Sequence, residues 1–255
     1  MLDGLRSARG VLRSMRIYYG DTQRRAAMDR LYGTFVQPGD LAFDIGAHVG
    51  DRVASFRRLG ARVVAVEPQP ALVRTLQLIY GRDRAVSIEA VAIGPVEGTI
   101  ELQMNLANPT VSSVSRDFVQ AAAHAPGWTR ERWTKSIAVP MTTLDRLIAR
   151  HGLPSFIKID VEGFEVQALA GLSRLVAALS FEFTLIQREV AMAALHQCAI
   201  LGYARFNAAL GESQTLVHRP WIDAQAMEQW LAELPAHANS GDVYAVLDRS
   251  IAPVA

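Results

Sequence analysis

Four carboxylates stand at the ends of short apolar runs. Asp44 follows Leu41-Ala42-Phe43, Glu67 follows Val63-Val64-Ala65-Val66, and Asp160 and Glu162 close Phe156-Ile157-Lys158-Ile159. In an open α/β sheet, such strand exits form the rim on which ligands sit. The first acid opens Asp44-Ile45-Gly46-Ala47-His48-Val49-Gly50, and a helix-compatible run follows from Asp51 to Leu59. A strand, glycine turn and helix in that order aim backbone N–H groups and a helix N-terminus at a ligand. Glu67 lies about 20 residues further on, where an acid grips the two hydroxyls of a ribose.

The turn discriminates between ribose-bearing cofactors. A dinucleotide fingerprint needs a middle glycine so that the backbone can approach the pyrophosphate. Here that position is His48, whose ring obstructs the approach. Asp44 also opposes a pyrophosphate, since like charges at about 4 Å repel by about 4 kcal/mol at an effective dielectric of 20. S-adenosylmethionine carries no phosphate, and its ammonium and sulfonium favour a nearby carboxylate. Asp44, Gly46, His48, Gly50 and Glu67 are therefore the expected cofactor-binding residues, with Asp44 at the methionine end and Glu67 on the ribose.

Asp160, Glu162 and Lys158 are the expected catalytic group if the bound cofactor gives up its methyl group to an acceptor, the reaction implied by the family resemblance given below. Methyl transfer is an in-line displacement, and orientation of the reacting atoms supplies about 7–11 kcal/mol. A carboxylate or His48 is open as general base, while Glu162 has a second reading as a helix N-terminal acid. Alternation along the strand puts Lys158 and Asp160 on one side, so an ion pair between them is predicted. Asp160, Glu162 and Glu182 could converge on an oxygen-ligand metal. Glu182 reads as lying inside its strand, however, and no metal is expected.

These residues need a scaffold. The chain has 255 residues, half of them hydrophobic, a formal net charge of +1 and a single cysteine, Cys198. That composition fits a globular α/β domain with no internal disulfide and gives no case for nucleic-acid binding. No apolar run approaches 18 residues, so no transmembrane segment and a cytoplasmic location are expected. Arginine supplies almost all the cations; the lysines are Lys135 and Lys158. Residues 1–37 read as an arginine-rich N-terminal extension of two short helices, either a solvated basic face or one meeting an anionic substrate or membrane surface. Residues 38–250 read as the catalytic domain.

Within that domain, helices are predicted over residues 51–59, 70–80, 145–150, 164–178, 190–201 and 221–234. Strands are predicted over 85–93, 96–104, 154–160, 179–186, 203–206, 216–218 and 243–247, besides those ending at Asp44 and Val66. Strands alternating with helices imply a parallel, doubly wound sheet. Residues 105–139 break the rhythm and read as a substrate lid or insertion. Trp128 and Trp133 in it are candidates to cover the acceptor, with packing on the domain as the alternative.

With Asp44 to Gly50, Glu67-Pro68, Thr143-Leu144-Asp145 and Lys158-Ile-Asp-Val-Glu-Gly163 in view, the chain resembles the FkbM family of S-adenosylmethionine-dependent methyltransferases from about Gly39 to Tyr203. The resemblance implies a class I, Rossmann-like fold, a mostly parallel seven-stranded sheet with one antiparallel strand. It also implies methyl transfer to an oxygen of a sugar, natural-product or lipid-linked acceptor. A nicotinamide (NAD or NADP) oxidoreductase and a non-catalytic S-adenosylmethionine-binding module are the rival functions.

Overall fold

The computed structural model describes residues 2–247, so the expected domain end at residue 250 lies outside the described residues. Two helices lead, α1 (Leu2–Tyr19) and α2 (Thr22–Tyr32), the second N-capped by the Asp21 carboxylate. Then come β1 (Leu41–Ile45), α3 (Asp51–Arg58), β2 (Arg62–Val66), α4 (Pro70–Tyr80), β3 (Val86–Glu89), β4 (Ala92–Ile93) and β5 (Gly98–Met104). α5 (Arg116–His124), β6 (Lys135–Thr142), α6 (Leu144–His151), β7 (Phe156–Ile159) and α7 (Glu165–Ala170) follow. The chain finishes through β8 (Ala178–Thr184), α8 (Arg188–Ile200), β9 (Arg205–Leu210), α9 (Ala224–Glu233) and β10 (Ser240–Val246).

The main sheet has seven strands in the order β3-β2-β1-β7-β8-β10-β9. All pairings are parallel except those of β10, which runs antiparallel to β8 and β9. A three-stranded sheet, β4-β6-β5, stands beside it. Both faces of the main sheet are buried, which accounts for the continuous apolar runs of its inner strands.

Four expectations change. The run 85–93 divides at Ala90-Val91: Val86–Glu89 pairs with β2, whereas Ala92–Ile93 pairs with β6 in the small sheet. Alternating apolar residues specify a strand but not its sheet. The predicted helix 164–178 ends at Ala170, and the chain turns away at Gly171, where it passes so close to Gly94 that a Cβ would meet the Gly94 carbonyl oxygen at 2.4 Å. Asp145 then holds the chain beyond it, accepting from the Ser173 N–H (2.9 Å) and hydroxyl (2.7 Å). Residues 216–218 form no strand; Asn207 Oδ1 takes the His218 N–H instead. The N-terminal helices are also more than an appendage. Met28, Leu31 and Tyr32 of α2, with Phe35, join the core, where the Phe35 ring stacks on Phe156 and Tyr244.

Candidate active site

The site begins where β1 and β2 end. Gly46 and Ala47 both donate their N–H to the Val66 carbonyl at 2.9 Å, which locks the turn across the mouth of the sheet. Gly46 has φ +84°, and a Cβ there would lie 1.8 Å from the Asp160 carbonyl oxygen. This glycine is thus required by the crossing of the β1 and β7 exits, a different reason from the open approach to a ligand expected of it. Gly50, also at φ +84°, would strike Tyr80 and Leu76 at 2.7 and 2.8 Å. His48 adopts φ +50°, a costly conformation for a residue with a side chain and one that clusters at functional sites.

Glu67 lies on the wall of a cavity with about 790 Å³ of empty space, part of it open to solvent. Its carboxylate accepts the His48 N–H (3.0 Å) and the Gln69 N–H (2.8 Å), so its orientation is fixed from two sides. Burial pushes its pKa up to about 8 against the pull of those amides. His48 and Gly46 share this wall. The His48 imidazole is pushed down to about 4 by burial and so is neutral, with the Tyr18 ring edge-on at 5.3 Å and Thr110 Oγ1 3.4 Å from Nε2.

Asp44 is not on the cavity wall. It is completely buried behind the turn, and neither carboxylate oxygen has a hydrogen-bond partner among the described residues. Burial raises its pKa to about 7, opposed by Arg52. Any influence it has on a ligand is therefore electrostatic and transmitted through the turn.

At the β7 exit the residues converge as a polar row above the aromatic core. Asp44 pairs in register with Lys158, and Lys158 with Ser180, so these share one face of the sheet. Asp160 follows two residues beyond Lys158 on the same face. β7 stops at Ile159 while β8 continues to Thr184, which leaves Glu182 level with Asp160 on the open rim. Glu182 does lie inside its strand, as expected, yet the shorter β7 beside it leaves it at the rim. Asp160, Glu162 and Glu182 each offer a carboxylate oxygen within 4.8 Å of the others, and all three line the cavity.

Charge in this cluster is unevenly held. Asp160 forms an ion pair with Arg52 of α3 and lies 3.7 Å from Lys158 Nζ. Burial alone would raise its pKa, but Arg52 and then Lys158 outweigh burial and hold the carboxylate well below its usual range. Glu162 and Glu182 are pushed well up, first by burial and then by the Asp160 charge. Glu162 has φ +53° and is fixed by its backbone: Ser113 Oγ donates to its carbonyl at 2.5 Å. Glu165 accepts the N–H groups of Val161 (3.2 Å) and Gly163 (3.3 Å) on either side.

Lys158 has no exposed surface and does not reach the cavity; its nearer partner is Asp242 of β10, at 2.9 Å, rather than Asp160. Arg52, Asp242 and Tyr18 are not among the site residues expected from the sequence. Arg52 is one of many arginines, and nothing in its spacing couples the first turn of α3 to a strand more than a hundred residues away.

The stretch 105–139 closes one side of the cavity through Pro109, Thr110, Ser112, Ser113 and Val114. Gln69 Nε2 ties it down by donating to the Pro109 carbonyl at 3.0 Å. Trp128 and Trp133 lie outside the cavity wall. Both indoles meet Phe118 edge-on, at 5.5 and 6.3 Å, and Trp133 Nε1 donates to the Val111 carbonyl at 2.8 Å. They hold the covering segment from behind.

A family model described as the Methyltransferase FkbM domain matches residues 44–234. No curated protein matches the chain. Among solved structures, it is similar to magnesium protoporphyrin IX methyltransferase from Synechocystis with bound S-adenosylmethionine (12% identity, TM-score 0.46, covering 93% of this chain and 84% of that one). It is also similar to a TehB-like S-adenosylmethionine-dependent methyltransferase from Corynebacterium glutamicum (12%, 0.45, 87% and 88%). A third is precorrin-6y C5,15-methyltransferase from Geobacter metallireducens (10%, 0.44, 88% and 87%).

Proposed function

The chain belongs to the FkbM methyltransferase family, and from that premise we propose that it transfers a methyl group from S-adenosylmethionine to a hydroxyl of a carbohydrate, lipid-linked or natural-product acceptor. The observation that carries this reading is the meeting of Asp160, Glu162 and Glu182 on one cavity wall with Glu67. Carboxylates are acceptors when ionised and donors when protonated, which suits a ligand with several hydroxyls.

The residues fit the cofactor. Among the described residues, the cavity wall carries Glu67, Asp160, Glu162, Glu182 and Glu212 against the single cation Arg52, and Arg52 is already paired. A bound cation would favour the ionised form of these carboxylates, whereas a pyrophosphate would oppose it, so the wall suits a cationic ligand better. Glu67 would hold the ribose hydroxyls, its two oxygens already aligned by backbone amides, and His48 and Gly46 would border the same ligand. Asp44 would add negative potential from behind the turn. When bound, S-adenosylmethionine supplies the electrophilic methyl group.

The chain's own part is to orient the acceptor oxygen and take its proton. Asp160, kept anionic by Arg52 and Lys158, is a weak base and acts as the orienting acceptor of a hydroxyl hydrogen bond. Glu162 has the higher proton affinity, so the hydroxyl proton passes to Glu162 once that carboxylate is ionised. The covering segment at Thr110 and Ser113 limits access of water to the same oxygen.

The test is release of S-adenosylhomocysteine in the presence of acceptor panels bearing hydroxyl, carboxyl or amine groups. Release is expected with hydroxyl acceptors. Release with amine or carboxyl acceptors alone would contradict O-methylation.

A further inference from the structure

The outer face of α1 has a composition unlike the rest of the molecule. Arg6, Arg9, Arg13 and Arg16 are all exposed, and among the described residues none has an acidic partner. At 100° per residue the four occupy an arc of about 80°, with Leu12 and Ile17 at its two edges. These two side chains are 69% and 53% exposed, so the arginine stripe is bordered by bare apolar surface. The chain as a whole carries a net charge of only +1, which makes four unpaired cations on one helix face a concentration of charge.

The side of the helix that runs from Gly10, next to Ile17, round to Tyr18 is committed to the site. Gly10 is buried, and a Cβ there would meet the Leu106 carbonyl oxygen at 2.8 Å and Pro109 Cδ at 3.0 Å. α1 therefore lies directly on the segment that closes the cavity. At its end Tyr18 lines the cavity, and the Tyr19 hydroxyl donates to the Val49 carbonyl of the glycine turn at 3.1 Å.

We propose that the outer face of α1 docks on an anionic phospholipid bilayer, with α1 lying in the interfacial plane and the cavity immediately beneath it. Charge complementarity selects the partner: arginines attract acidic headgroups, and Leu12 and Ile17 enter the headgroup boundary. A nucleic acid would use the arginines but leave both apolar side chains in water. No described helix is long and apolar enough to cross a membrane, so the contact is peripheral. It would bring lipid-borne acceptors to the site, yet it does not depend on the chemistry proposed above.

Cosedimentation with vesicles of phosphatidylcholine, alone or mixed with phosphatidylglycerol, tests this directly. The full chain is expected to bind only the anionic vesicles, and less as salt rises. Each arginine near such a surface contributes about fivefold in partition, the equivalent of about 1 kcal/mol. The triple variant Arg9→Glu, Arg13→Glu, Arg16→Glu should therefore lose about 100-fold or more, with S-adenosylhomocysteine affinity near wild type as a separate reading of the fold and cofactor site. The pair Leu12→Gln, Ile17→Gln should weaken binding while keeping its salt dependence, and it decides the matter if the triple variant does not fold. Absence of binding to anionic vesicles, equal partition of the variants and the wild type, or stronger capture by a DNA duplex than by vesicles would each overturn the proposal.

Discussion

Arg52, in the first turn of α3, forms its ion pair with Asp160 at the exit of β7, 108 residues away in the chain. The pair joins the glycine turn to the acidic cluster and fixes which carboxylate carries the charge there. Asp160 remains ionised because Arg52 and Lys158 face it, while Glu162 and Glu182 beside it are driven toward the protonated form.

Asp160→Asn should accordingly lower kcat by at least about 100-fold with little change in cofactor Kd. A loss confined to kcat marks an interaction made mainly in the transition state. In the same assay, kcat of the wild type should rise with pH as Glu162 ionises, and Glu162→Gln should remove that rise. Near-wild-type turnover of Asp160→Asn would reduce the cluster to a structural role.

Glu67 gives a prediction with a defined pH window. Its folded pKa of about 8 is above the unfolded glutamate value of about 4.3. Between those values the unfolded chain has lost a proton that the folded protein keeps, so stability contributed by this group is full below about pH 4.3 and is lost as pH rises toward about 8. S-adenosylhomocysteine binding should show the opposite trend, tightening as Glu67 ionises to accept the ribose hydroxyls. Glu67→Gln should flatten the pH dependence and weaken binding about tenfold, as expected for one charged hydrogen bond. Calorimetric titration at several pH values would drop Glu67 from the cofactor site if neither change appears.

The parts of this arrangement that were legible in the sequence are those written in consecutive residues. Asp44 to Gly50 and the β2 exit at Glu67 announce a strand, turn and second strand, and the run Phe156–Ile159 announces the next exit. What sequence order conceals is register. The rim position of Glu182 follows from β7 ending at Ile159 beside a longer β8, and Asp242 reaches Lys158 only because β10 inserts antiparallel beside β8. The division of residues 85–93 between two sheets is likewise a matter of partners, which apolar alternation does not encode. Trp128 and Trp133 were conspicuous by type, but side-chain size is as useful behind a loop as over a ligand.

That position gives the tryptophans a different expected phenotype from a substrate contact. Trp133→Phe removes the hydrogen bond to the Val111 carbonyl and should cost about 1 kcal/mol of stability. Because Val111 adjoins Thr110 and Ser112 on the cavity wall, acceptor KM should rise while cofactor affinity holds. Thermal unfolding and steady-state kinetics check both; wild-type stability together with a large KM effect would point to direct acceptor contact.

Chelation probes the acidic cluster from another side. Arg52 and Lys158 already set two positive charges against Asp160. EDTA is therefore expected to leave turnover largely intact. Complete loss, restored by Mg²⁺ or Mn²⁺, would make Asp160, Glu162 and Glu182 oxygen ligands of a cation.

The most direct measurement is thermal unfolding with S-adenosylmethionine, S-adenosylhomocysteine, NAD and NADP, each in large excess. A ligand at about 100 times its Kd stabilises the folded state by about 2.7 kcal/mol. For a chain of this size that is a rise of roughly 5–10 °C in Tm. We expect that rise with S-adenosylmethionine and S-adenosylhomocysteine, reduced in Glu67→Gln, and no rise with either nicotinamide dinucleotide. A shift with NAD or NADP and none with the adenosyl ligands would contradict the assignment of this cavity.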